Sequence, residues 1–448
     1  MAFYTVSPGK LMATDDPSAV IETYLGSCVG VAMYDRKAVV GGLIHIMLPA
    51  GSKDNEKTSP ARYARSGIPL LLDKMIKLGA SKANIVAEIA GGSFMLTGSK
   101  LSVELNIGRR NSDMTRQILS ILGIPITKQH IGGHVRRAFR LEPAAGKTCV
   151  KTGEEKREHA LSSKPDKKIR LEDLKNRIDM LKPMPETARR IISRMEYSGY
   201  SLSDLGKYIS QDQAITANVL KMCNSALYGF PGRISSIKKA AALLETKPLK
   251  KIVMAASLCN LYKDRIGAYS VEKGEMWNHS LCCAMVAELI SQEKKIKNPD
   301  TVFTAGLLHD IGKVILDQYA FEKFNLIMDK VLNENALFLD AENEIFGYNH
   351  AQIGGIIARK WNLPEVLIEA ISFHHRPQEA KENPEVVSVV HIADNICSMI
   401  GYGCGADAMA NHIHQFAISS INLRSNDVDM IIKKLAVIMK KGKVIFDE

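Results

Sequence analysis

Hydrophobic and polar positions change their rhythm once along this chain, near residue 150. Before that point two short β-branched runs, VIETYLGSCVGVAMYD (20–35) and KAVVGGLIHIMLP (37–49), read as strands. They alternate with stretches whose apolar residues recur at helical spacing, SGIPLLLDKMIKLGA (66–80) and NSDMTRQILSILGI (111–124). The mixture predicts an α/β (α+β) domain over residues 1–150. From Leu141 to Asp173 the periodicity fails in a polar, highly charged, turn-rich stretch, which predicts a flexible linker at 151–173. Beyond it strand signals vanish. Segments 174–197, 201–224, 235–265, 277–293, 300–318, 350–360, 364–373 and 384–400 carry helical spacing. They predict an all-α domain of many short helices over 174–448, with a C-terminal helical extension. Internal repeats and coiled-coil heptads are not evident.

Composition fits this division. The 448 residues are 46% hydrophobic and 24% charged, enough to bury more than one core. Only 6% are aromatic, which argues against rows of base-stacking side chains. The opening MAFYTVSPGK lacks a cationic-then-apolar signal pattern, and the apolar stretch Ala38–Gly51 is short and interrupted by His45, so the expected location is the cytoplasm, without membrane insertion. Eight cysteines, at 28, 149, 223, 259, 282, 283, 397 and 404, lack zinc-ribbon or disulfide-scaffold spacing, so most are expected to be reduced and buried. Residues 1–150 hold 19 basic and 11 acidic side chains, which is +8 of the chain's +11. That charge suggests an acidic partner. Without a basic cluster or nucleic-acid motif, DNA and RNA are not expected to be partners.

Cys28 follows Gly26 and Ser27, which interrupt a strand-like run, and His45 lies seventeen residues on in a second such run. Neighbouring strands would bring thiol and imidazole together as a nucleophile and its proton partner. Taken alone, a single Cys and a single His in apolar runs read first as buried structural residues. Wider blocks separate these readings. LGSCVGVAMYD, GGLIHIMLP, RYARSGIPLLLDKMIKLGA, AEIAGGSFML, NIGRRNSDMTRQILSILGIPI and IGGHVRRAFRLEPAAGKTCVK together resemble the chemoreceptor glutamine deamidase family, CheD. The resemblance implies a cofactor-free enzyme that hydrolyses glutamine side-chain amides on bacterial chemoreceptors to glutamate, releasing ammonia. It implies Cys28 as nucleophile, His45 as base and then acid, and chemoreceptor cytoplasmic helices, with CheC-type phosphatases, as partners. The family places a threonine six positions before the cysteine. Here Thr23 stands five before and Glu22 six before, so Thr23 reads either as the family's third site residue or as an ordinary strand residue. Backbone N–H groups at Ser27–Cys28 or at the Gly91–Gly92 turn are the candidates for oxyanion binding.

In the helical half, histidines and aspartates form a second series: His279, His309, Asp310, His350, His374, His375 and Asp394. These residue types are ligands for divalent transition metals, and they equally serve as hydrogen-bonding ties between helices. The surrounding segments, LKPMPETARRIISRM, LGKYISQDQAITANVLKMCNSALYGFPGRISSIKKAAALL and ARKWNLPEVLIEAISFHHRP, resemble HDOD, the output domain related to HD phosphohydrolases, over about 174–400. This implies a bacterial signalling role, with a divalent metal or a phosphohydrolase activity as the alternatives to a non-catalytic scaffold. No glycine-tyrosine-proline motif follows His375, which argues against cyclic-di-GMP hydrolysis. Lys313 reads more readily as an exposed helix lysine than as a phosphate contact, and His391 reads as structural. The leading expectation is a glutamine deamidase of chemotaxis joined to an HDOD signalling domain.

Overall fold

The computed structural model describes residues 2–51, 56–57, 59–93, 107–133, 135–152, 171–181, 184–193, 209, 213–224, 234–244, 246–262, 269, 274–320, 323–334, 336–400 and 413–441. Most of the expected linker, 153–170, and Cys404 lie outside these. The chain divides into two compact units. The first is Met1–Asp166 with Glu322–Ala341 and Ser398–His412; the second is Lys167–Phe321 with Glu342–Cys397 and Ile413–Glu448.

In chain order the first 152 residues form β1 (Ala2–Thr5), β2 (Leu11–Thr14), β3 (Ala19–Leu25), β4 (Val29–Asp35), β5 (Val40–Ile46), α1 (Ala64–Lys77), β6 (Val86–Gly91), α2 (Ile107–Ile121), β7 (Ile126–Ile131), β8 (Arg137–Glu142) and β9 (Lys147–Thr152). They make two sheets, ordered β1-β3-β8-β9 and β2-β5-β4-β6-β7. Side-chain alternation then builds three layers. On β4 and β5, Val31, Met33, Ile44 and Ile46 pack on Ile68, Leu71 and Met75 of α1 and Leu119 of α2. Their neighbours Ala32 and Leu43 turn the other way, onto Ile21, Leu25, Phe139 and Leu141 of the first sheet. Both faces of β4 and β5 are therefore buried, which is why these strands read as near-continuous apolar runs.

The remaining helices are α3 (Leu171–Met180), α4 (Glu186–Ser193), α5 (Gln213–Cys223), α6 (Ile237–Leu243), α7 (Thr246–Leu258), α8 (Glu275–Glu293), α9 (Pro299–Leu308), α10 (Lys313–Ala320), α11 (Phe324–Asn333), α12 (Phe338–Phe346), α13 (His350–Lys360), α14 (Glu365–Phe373), α15 (Pro384–Ile400), α16 (Gln415–Ser420) and α17 (Ser425–Lys441). No strand occurs after Thr152 among the described residues. The segment read as one helix over 300–318 is two, α9 and α10, parted by a turn at His309–Gly312. At Gly312 an added Cβ would lie 1.9 Å from the His350 carbonyl oxygen, so the chain at the turn runs against the start of α13. Among the described residues, no helix is long and apolar enough to cross a membrane.

Candidate active site and histidine–aspartate centre

The inward face of β3 is Ile21, Thr23, Leu25; Glu22 and Tyr24 face outward. This settles the strand face of Thr23. Its hydroxyl donates to the Val6 carbonyl at 2.7 Å and lies 2.7 Å from His45 Nδ1. With its one proton given to Val6, the oxygen accepts from Nδ1–H, and the lone pair of His45 sits on Nε2. That Nε2 is buried and has no hydrogen-bond partner. His45 pairs with Gly30 of β4, and Cys28 is the residue immediately before that strand. Burial pulls the His45 imidazolium down to about 3, only partly offset by the Val6 carbonyl. Burial also pushes the half-buried Cys28 thiol up to about 12. The resting site therefore holds a neutral thiol and a neutral imidazole.

The loop before Cys28 is held by its carbonyls. Ser93 N–H donates to Gly26 O at 2.8 Å and Gly92 N–H to Cys28 O at 2.7 Å. Gly91 and Gly92 have φ of +104° and +61°, and a Cβ on Gly91 would stand 2.2 Å from Cys28 O. The expected part of Gly92 in oxyanion binding is corrected: its N–H is committed to the Cys28 carbonyl, so the glycine turn supports the loop.

In the second unit the seven predicted histidines and aspartates meet. Asp310, His350, His374 and His375 form one group and His279, His309 and Asp394 another, with ligand atoms within 4.8 Å of one another in each. His279 Nε2 lies 3.1 Å from Asp394 and 3.7 Å from Asp310, and His309 Nε2 3.4 Å from Asp310, so the two groups adjoin. His309 and His374 bind the carbonyls of Gly306 and Ile371 through Nδ1, at 2.8 and 2.9 Å, which leaves Nε2 with the lone pair. Both Nε2 atoms and Asp310 Oδ1 are buried without a hydrogen-bond partner. Orphaned lone pairs of this kind, on imidazole and carboxylate, fit a divalent transition metal. Burial opposes charge on His279, yet Asp394 and Asp310 hold it up at about 9. Against the same burial, His309 and Lys313 hold the Asp310 carboxyl well below the usual range. Lys313 is 5% exposed and 2.6 Å from Asp310, which corrects its reading as an exposed lysine; three residues on from Asp310, its stem follows the turn inward. His391 binds His374 O through Nδ1 at 2.7 Å and accepts His414 N–H on Nε2 at 2.8 Å, so both nitrogens are used structurally.

The family model for CheD chemotactic sensory transduction matches residues 47–152, and that for the HDOD domain matches 181–377. A probable chemoreceptor glutamine deamidase CheD of Desulforamulus reducens is 43% identical over 136 residues, 30% of this chain and 82% of its own length. Another, from Clostridium tetani, is 39% identical over 149 residues, covering 33% of this chain and 90% of its own. The chain belongs to the CheD family. Its helical part carries an HDOD domain: the solved structure of an HDOD domain protein from Geobacter sulfurreducens matches with 25% identity and a TM-score of 0.52, over 62% of this chain and 97% of that one.

Two residues of the CheD and HDOD parts escape a reading by motif. Asn111 of α2 is fully buried, with Nδ2 2.8 Å from Met47 O and 3.4 Å from Ser27 O. Glu342 of α12 accepts from His350 Nδ1 at 2.7 Å and from the Tyr269 hydroxyl at 2.5 Å, fixing the ring whose Nε2 belongs to the histidine–aspartate centre. The spacing held a signal for Glu342, which stands midway in the apolar stripe Phe338–Glu342–Phe346.

Proposed function

We propose that the CheD domain hydrolyses the side-chain amide of chemoreceptor glutamines to glutamate, with Cys28 as nucleophile and His45 as its proton partner. The observation that carries this reading is the Thr23–His45 hydrogen bond, which leaves an unpartnered Nε2 lone pair on β5, paired with the strand that begins directly after Cys28. As substrate seats, Nε2 takes the thiol proton and sulfur attacks the amide carbon. The oxyanion of the tetrahedral intermediate is received by the main-chain N–H groups of Ser27 and Cys28. Collapse expels ammonia, protonated by Nε2–H, and leaves a thioester. Water, deprotonated by the same nitrogen, then releases glutamate and restores the thiol. Positive charge on the domain favours receptor helices rich in glutamate.

The histidine–aspartate centre of the HDOD domain fits one or two divalent transition ions, held by His279, His309, Asp310, His350, His374, His375 and Asp394. Bound there, an ion would supply Lewis-acid polarisation of a phosphate or water ligand. Its place in the protein is signalling beside the deamidase.

Ammonia release and the glutamine-to-glutamate mass change in a chemoreceptor cytoplasmic fragment test the deamidase reading. Cys28→Ala is expected to abolish both with the fold retained, and His45→Ala to slow them by about 10²–10⁴-fold. Undiminished conversion by Cys28→Ala would refute it.

A further inference from the structure

Three consecutive carbonyls of the Cys28 loop are held from elsewhere in the domain. Ser93 N–H takes Gly26 O and Gly92 N–H takes Cys28 O, while the Asn111 amide reaches the one between them, Ser27 O. Through the same Nδ2, Asn111 also holds Met47 O, two residues beyond His45. A single side chain from α2 thus ties the nucleophile loop to the exit of the histidine strand. Asn111 Oδ1 is buried without a partner. Exchanging the amide's oxygen and nitrogen would set an oxygen against two carbonyl oxygens, so the donor must face them.

A trans peptide keeps its C=O and N–H on opposite sides, and the described chain has no cis bonds. Drawing the Ser27 carbonyl toward Asn111 therefore turns the Cys28 N–H the other way. Ser93 does the same for the Ser27 N–H through the Gly26 carbonyl. Among the described residues neither of these N–H groups donates to a carbonyl, whereas Gly92 N–H is taken up. We infer that Asn111 is a positioning residue for the oxyanion site, fixing the Ser27–Cys28 peptide so that the Cys28 N–H stands ready for the tetrahedral intermediate. This rests on the reading of Cys28 as the nucleophile of amide hydrolysis. At 3.4 Å the contact to Ser27 supplies direction more than binding energy, and the 2.8 Å bond to Met47 anchors the amide that makes it.

Deamidation and alkylation separate this role from general support of the fold, because displacement on iodoacetamide develops no oxyanion. In the full chain, Asn111→Ala and Asn111→Asp both remove the donor. They are expected to lower kcat on a chemoreceptor cytoplasmic fragment by about 10–100-fold, with KM within about twofold. The rate and pH profile of Cys28 alkylation should stay those of the unaltered protein. Unchanged kcat in both variants overturns the inference. So does a parallel loss of alkylation, or loss of the fold in both variants by circular dichroism. Deamidation that survives Cys28→Ala removes instead the reading on which it rests.

Discussion

Thr23 has one proton to give and gives it to the Val6 carbonyl, so its oxygen is free to accept from His45 Nδ1. Thr23→Val keeps the shape and removes that acceptor. It is expected to cost about 10–100-fold in kcat with the melting temperature little changed, and ¹⁵N NMR of the imidazole should show a mixed tautomer in place of Nδ1–H. The pH behaviour follows from burial. With the Cys28 thiol pushed up to about 12, alkylation of the resting protein should keep climbing above the pH of about 8.5 at which a free thiol levels off. His45 titrates at about 3 when folded and 6.5 when unfolded, so between those values the unfolded chain binds more protons. The stability gained by burying it neutral is complete above 6.5 and lost as the pH falls toward 3, and His45→Gln should flatten that part of the acid-unfolding curve. At this scale the sequence was partly legible. Cys28 and His45 stood out through the blocks around them; Thr23 could not be assigned a face by counting from the cysteine, because Gly26–Cys28 is a turn and the alternation of β3 restarts at β4. Asn111 gave no signal, since an asparagine on an amphipathic helix looks the same whether it faces water or a carbonyl.

The turn between α9 and α10 is what lets two adjacent residues serve one centre. On a continuous helix His309 and Asp310 would diverge by about 100°. The turn carries both inward, and Gly312 lets it run against the first residue of α13, His350. Gly312→Ala should therefore displace His350 from Asp310. The expected result is loss of bound divalent metal, by mass spectrometry of metal-equilibrated protein, comparable to that of His309→Ala and with helical content kept. Full metal retention by Gly312→Ala would separate the turn from the centre. Element types were legible where periodicity was strong, as in α1, α2, α8 and α13 to α15. The α11 and α12 segment was not among the predicted helices; Glu342 interrupts the apolar pattern at the position where it serves His350.

Over the whole molecule, the boundaries drawn from sequence and the packing of the chain differ in one respect. The HDOD match runs through 322–341, yet that segment packs within the first unit. There Arg136, 3% exposed, donates to Val331 O at 3.2 Å and to Ala336 O at 2.8 Å, and burial pulls its guanidinium down to about 10. A cation on the Val331 carbonyl in the last turn of α11 is a favourable helix end, and removing it leaves that buried acceptor unmet at about 1–3 kcal/mol. Two outcomes follow. We propose that the charged stretch from Thr152 to Lys168 is a linker, so limited proteolysis should cut there first, and the product ending near Thr152 should keep the Cys28 chemistry because every residue of that site precedes the cut. That product should also unfold at a lower temperature than the intact chain, because Arg136 has lost its carbonyl partners, and Arg136→Ala in the intact chain should reproduce part of the loss. Equal melting temperatures for fragment and full chain would show that α11 contributes nothing to the first unit. First cuts elsewhere, or a fragment that does not fold, would refute the division at the linker.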